Sequence, residues 1–288
     1  MKIRKASLLL PTATFLLTSA AMVVSSLPAS AAGSGLQLVS QQSATDSTGA
    51  KSVTVLCPTG KILSGAAGQI NIAKTGRAVL EDVTPLPAMN GVTVVGTETG
   101  TGTTDNWSVK AYAICVNGLA GPQLISQQTP VDSNSKALLL TCPSGTQVVG
   151  TGGQINIATS GAVGLHEFTP ETLTTVRVIA GEIGAGTTAN WTMKAYALCA
   201  SPPAGLQIVR TTSTVDSKHA KAVVAHCPTG KRVMGAGADI TAPDGNRVML
   251  DEVTPLPDLS GVNAVGTELA GGTTQNWTVS AEAICASV

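Results

Sequence analysis

The chain has 288 residues, of which 43% are hydrophobic and only 12% charged, with seventeen basic and seventeen acidic side chains. A disordered chain needs the opposite balance, few apolar residues and a high net charge. The absence of any Lys/Arg cluster removes the electrostatic footprint by which nucleic acid or an anionic membrane is held.

The chain opens on a short positive segment, Lys2, Arg4 and Lys5, followed by an apolar stretch from about Ala6 to Leu27. Leu27-Pro28-Ala29-Ser30-Ala31-Ala32 then supplies small residues spaced for a signal peptidase. This three-part pattern predicts a secretory signal peptide over residues 1–32, cleaved after Ala31 or Ala32. Pro11, the Ser/Thr content and the small-residue exit set it apart from an uncleaved anchor. Cleavage would remove three of the seventeen basic residues and no acidic one, leaving fourteen against seventeen, a net charge of −3. No later run is long and apolar enough to span a bilayer, so no membrane is expected as a partner once the signal is removed.

Internal repetition organises the rest. Cys57-Pro58-Thr59-Gly60 recurs as Cys142-Pro143-Ser144-Gly145 and as Cys227-Pro228-Thr229-Gly230, eighty-five residues apart each time. Asn106-Trp107 recurs as Asn190-Trp191 and Asn276-Trp277, and each Trp is followed eight residues later by Cys115, Cys199 or Cys285. Thr84-Pro85, Thr169-Pro170 and Thr254-Pro255 mark a third common place, and Asp46-Ser47, Asp132-Ser133 and Asp216-Ser217 a fourth. Three tandem units are thereby predicted over 35–116, 121–200 and 205–288, joined by connectors so short that packed units are favoured over a flexible string.

Within the first unit, strands are predicted at Leu36–Gln42, around Val53 to Cys57, from Lys61 to about Ile72, and at Val79–Thr84, Val92–Thr99 and Trp107–Cys115. The last shows the period of two most plainly: Trp107, Val109, Ala111, Ala113 and Cys115 share one face. The Cys-Pro-x-Gly step suits a type I turn that folds the next strand back as a hairpin. Six short strands per unit and no helical period predict an all-β fold, each unit a β-sandwich or a β-prism. The six cysteines, two per unit and facing one core, predict the disulfides Cys57–Cys115, Cys142–Cys199 and Cys227–Cys285.

The combination Cys-Pro-x-Gly, a Gly-rich strand and Asn-Trp-x-x-x-Ala-x-Ala-x-Cys resembles a β-repeat of secreted actinobacterial proteins, over nearly all of the mature chain. It departs from that pattern once, where Glu282 stands in the place of Tyr112 and Tyr196. The resemblance implies an extracellular location and a repeated β-architecture.

Catalytic chemistry is poorly provided for. The carboxylate positions Glu81-Asp82, His166-Glu167 and Asp251-Glu252, and Glu98, Glu182 and Glu268, repeat with the unit. An acid/base pair instead needs two groups in unlike environments. His166, His219 and His226 are unrepeated, Gly-x-Ser-x-Gly is absent, and Cys-x-x-Cys metal spacing is absent. No enzyme, cofactor or metal is therefore expected. The glycine runs at Gly65–Gly68, Gly150–Gly153 and Gly235–Gly237 precede no helix that could hold an anion, which points to bulges or close backbone approach. Asp46, Asp132 and Asp216 are expected in Asx turns rather than around Ca²⁺.

What remains is binding or a purely structural role outside the cell. Gln69-Ile70-Asn71-Ile72 and Gln154-Ile155-Asn156-Ile157 put isoleucines in the core and amides on the opposite face, where donors and acceptors suit sugar hydroxyls. Gln69, Asn71, Gln154 and Asn156 are thus the candidate ligand residues, and an extracellular glycan or surface protein the candidate partner. The third unit reads Asp239-Ile240-Thr241-Ala242 at that place, so units one and two are expected to bind and unit three to stabilise.

Overall fold

A computed structural model describes residues 35–158, 161–184, 186–243, 245 and 247–287. The expected signal peptide, residues 1–32, lies outside them. Among the described residues there are eighteen strands and no helix. The first unit contributes β1 (Gln37–Gln42), β2 (Ala50–Leu56), β3 (Ile62–Ile72), β4 (Ala78–Pro85), β5 (Gly91–Glu98) and β6 (Trp107–Val116). The second contributes β7 (Gln123–Gln128), β8 (Lys136–Thr141), β9 (Gln147–Ile157), β10 (Val163–Pro170), β11 (Thr175–Glu182) and β12 (Trp191–Ala200). The third contributes β13 (Gln207–Thr212), β14 (Ala220–His226), β15 (Lys231–Thr241), β16 (Val248–Pro255), β17 (Gly261–Glu268) and β18 (Thr278–Ser287).

The strands form three six-stranded antiparallel sheets, and every sheet is shared between two units. Their orders are β1-β6-β3-β16-β17-β14, β2-β5-β4-β9-β12-β7 and β13-β18-β15-β10-β11-β8. Each unit thus splits three and three over two sheets, and the units close a ring in the manner of a three-sided prism. The disulfides Cys57–Cys115, Cys142–Cys199 and Cys227–Cys285 form as expected, each tying the end of one half-unit to the other. Trp107, Trp191 and Trp277 are buried at the other end of the last strand of each unit, eight residues before the second cysteine.

The hairpin expected after Cys-Pro-x-Gly does not form. β2 pairs with β5 and β3 with β6, so this turn carries the chain between sheets. The turn also sits one residue later than the type I reading placed it: Lys61 N–H donates to Pro58 C=O at 3.0 Å, and Gly60 takes φ +83° at the third position. That conformation is open to glycine and strained for any residue with a Cβ.

The glycine runs line the centre of the ring. Register shifts put bulges in β3, β9 and β15 between Leu63 and Gly65, opposite Leu198/Cys199, and between Val233 and Gly235. At these bulges the backbones of the three units meet. A Cβ on Gly65 would lie 2.5 Å from Met234 C=O, one on Gly150 2.2 Å from Ser64 C=O, and one on Gly235 2.1 Å from Val149 C=O. Each contact runs from one unit to another and the set is cyclic, which makes glycine the only residue that fits.

Candidate functional site

The repeated polar residues divide into a structural set and a surface set. In the structural set, the buried ammonium of Lys51 lies over the Trp107 ring at 4.9 Å, Lys136 over Trp191 at 5.0 Å, and Lys221 over Trp277 at 4.5 Å. Each is also ion-paired to Asp46, Asp132 or Asp216. Those aspartates accept backbone N–H bonds from Thr48, Asn134 and Lys218, two residues on, as Asx turns do. Their lysine partners hold the carboxyls well below the usual range. Glu98 and Glu268 accept the indole N–H of Trp107 and Trp277, and Glu98, Glu182 and Glu268 each accept a loop N–H five residues on. These carboxylates are structural groups at strand ends.

Glu81, His166 and Asp251 are the extra residues of bulges in β4, β10 and β16, which turns both members of each polar pair inward. Burial raises Asp82 to about 7 and Asp251 to about 8, and pushes His166 down to about 4. Asp82, Glu167 and Glu252 lie where units join. Asp82 accepts the Ile155 N–H at 2.7 Å, Glu252 accepts the Gln69 amide at 3.1 Å, and Glu167 stands opposite Asp239. Among the described residues, no group of three or more His, Cys, Asp and Glu is placed to hold a metal ion.

The surface set lies directly over those junctions. Where β3 and β6 meet β16, a cleft of 520 Å³ is lined by Leu38, Ser40, Gln69, Lys110 and Tyr112 of unit one and by Thr254–Pro257, Val224 and Asn263 of unit three. Where β9 and β12 meet β4, a second cleft of 440 Å³ is lined by Leu124, Ser126, Gln154, Lys194 and Tyr196 of unit two and by Thr84–Pro87 of unit one. The two are built alike. Tyr112 O–H donates to Gln69 Oε1 at 2.7 Å, and Tyr196 O–H to Gln154 Oε1 at 2.8 Å. Lys110 lies 4.9 Å from the Tyr112 ring and Lys194 5.2 Å from the Tyr196 ring.

The third junction is built otherwise. Asp239 replaces the glutamine, Glu282 the tyrosine, Arg210 the serine and Ser280 the lysine. On the opposite wall Glu171 stands where the others have Leu86 and Leu256. Arg210 pairs with the fully buried Glu282 at 2.8 Å, and Arg177 with Glu167 at 2.7 Å and Glu171 at 3.1 Å. Five coordinated differences thus replace an aromatic cleft with ion pairs.

Of the residues singled out in the sequence, Gln69 and Gln154 fall in the clefts. Asn71 and Asn156 lie two residues further along β3 and β9 and do not line them: Asn71 buries its amide nitrogen without a partner, and Asn156 is exposed. Unit three, expected only to stabilise, supplies one wall of the first cleft. Sequence reasoning missed Tyr112, Tyr196, Lys110 and Lys194 as cleft residues. The signal available was the departure at Glu282, which singles out their position. No protein-family model matches the chain, and no curated protein matches it significantly.

Proposed function

We propose that this is an exported, non-catalytic, multivalent binding protein that recognises an extracellular glycan or protein surface through its two junction clefts. The observation that carries the reading is their likeness: the same Tyr–Gln–Lys–Ser set faces the same Pro-Leu-Pro wall twice. Packing alone does not require that set, because the third junction closes without it. Two weak sites on one rigid body gain strength together on a repetitive surface. Export is supported by the signal-like segment at 1–32 and by three disulfides in a chain without free cysteines among the described residues. The non-catalytic reading is supported by the unrepeated histidines and by carboxylates committed to backbone, indole and ammonium partners.

The test is to incubate the purified mature protein with cell-wall preparations and a glycan array, beside a double variant, Tyr112→Ala with Tyr196→Ala. Retention by the wild type and its loss in the variant support the reading. Uniform silence favours a structural protein of the cell envelope. Turnover of a glycan, ester or peptide that vanishes in Glu81→Gln or Glu167→Gln would make it an enzyme.

A further inference from the structure

The hydrogen-bonding capacity left over in the two clefts is lopsided. In the first, Gln69 Oε1 already accepts from Tyr112 O–H, and one amide hydrogen is given to Glu252. In the second, Gln154 Oε1 accepts from Tyr196 O–H. The groups left facing the cleft include the lysine ammonium, with three N–H bonds and no acceptor capacity, and the remaining amide hydrogens, beside the Ser40 or Ser126 hydroxyl, which both donates and accepts. Among the described residues, neither Lys110 nor Lys194 has a carboxylate within salt-bridge distance, whereas the structural lysines Lys51, Lys136 and Lys221 all do.

The same lysines lie over the tyrosine rings. An ammonium group over a tyrosine face competes with a sugar ring for that face, which disfavours the stacking mode of neutral-glycan recognition here. The closed third junction offers no such group: both of its guanidinium groups, Arg177 and Arg210, are already paired to carboxylates, Glu167, Glu171 and Glu282, and Ser280 stands at the position of Lys110 and Lys194.

We propose that each open cleft binds the anionic group of an acidic glycan, a carboxylate or a phosphate, with Lys110 or Lys194 as its charge partner, so that one chain holds two such groups. The glutamine amide and serine hydroxyl would take neighbouring oxygens, and the Pro-Leu-Pro wall the apolar edge of the unit. This rests on the clefts being binding sites, and deepens that reading by giving the ligand a charge.

The experiment is calorimetric titration of the mature protein with three probes: a short oligouronate, its fully methyl-esterified form, and a polyol-phosphate oligomer. Expected are two binding events per chain for an acidic probe, affinity that weakens with salt, and at least about tenfold weaker binding of the ester, since a charge-assisted hydrogen bond is lost. Lys110→Met with Lys194→Met should abolish the preference for acid while leaving the melting temperature unchanged, and Lys110→Arg with Lys194→Arg should keep it. The uronate and phosphate arms tell the two sources of anion apart. Equal binding of acid and ester, or a preference that survives the methionine variant, overturns the charge assignment but leaves the clefts as binding sites. Failure of all three probes overturns the charge assignment as well. In that case, retention of neutral glycans on the array, lost with Tyr112→Ala and Tyr196→Ala, would still sustain the clefts.

Discussion

Replacing Asp251 by Asn should make the protein more stable at neutral pH and less sensitive to pH. Asp251 is 3% exposed, its Oδ1 has no hydrogen-bond partner, and its neighbour is Glu252. Burial first, and then the charge of Glu252, raises its pKa from 3.8 to about 8. A carboxyl whose folded pKa is raised binds its proton more tightly in the folded state. Its stabilising effect is complete below the unfolded pKa and is lost as pH climbs through the folded one. The window here runs from pH 3.8 to about 8, and within it the slope approaches 1.4 kcal/mol per pH unit. Between pH 5 and 7.5 the wild type should therefore lose about 3 kcal/mol that Asp251→Asn keeps. Asp82, raised to about 7, acts in the same direction, and His166, lowered to about 4, acts against it. The difference between wild type and variant cancels both. Urea unfolding followed by tryptophan fluorescence from pH 4.5 to 8.5 reads it directly, because all three tryptophans are enclosed. Parallel stability curves for the two proteins would refute the reasoning.

Four further variants test the ring and its turns. Gly150→Ala would put a Cβ 2.2 Å from the Ser64 carbonyl oxygen at the centre, and should cost 3 kcal/mol or more (an order-of-magnitude figure, roughly the overpacking limit). Gly60→Ala, with open space around it, should cost only about 1 kcal/mol for its left-handed backbone; equal losses in the melting curves would contradict a crowded axis. Arg210→Ala leaves the buried Glu282 without its cation, and because Glu282, raised by burial to about 8, is protonated well below that pH, the loss from charge should be small at pH 5 and grow as pH rises through about 8; a loss independent of pH would argue against a charge effect. Removing one disulfide as Cys142→Ala with Cys199→Ala opens a span of 57 residues and should cost about 4 kcal/mol in chemical denaturation, whereas an unchanged midpoint would show the sheet junctions alone hold that unit.

The parts of this protein legible in its sequence are those set by local rules repeated three times. The period of two fixed which residues of Trp107–Cys115 face inward, and three copies of the same Cys spacing fixed the disulfide pairing. The strand positions and the Asx turns at Asp46, Asp132 and Asp216 were equally local, since each depends on neighbours within a few residues. Pairing between strands is not local. Nothing in β3 by itself says that it continues into β16 rather than folding back on β2, because every strand offers the same backbone donors and acceptors. That choice was decided where three glycine bulges let the units close on one another. The clefts follow from the same closure. Gln69 stands out as polar in the sequence, but the Thr254–Pro257 wall that faces it lies some 185 residues away along the chain. Only the ring sets the two together, and only there does the exchange of Tyr112 and Tyr196 for Glu282 become one open cleft fewer, because burying a carboxylate required Arg210 beside it.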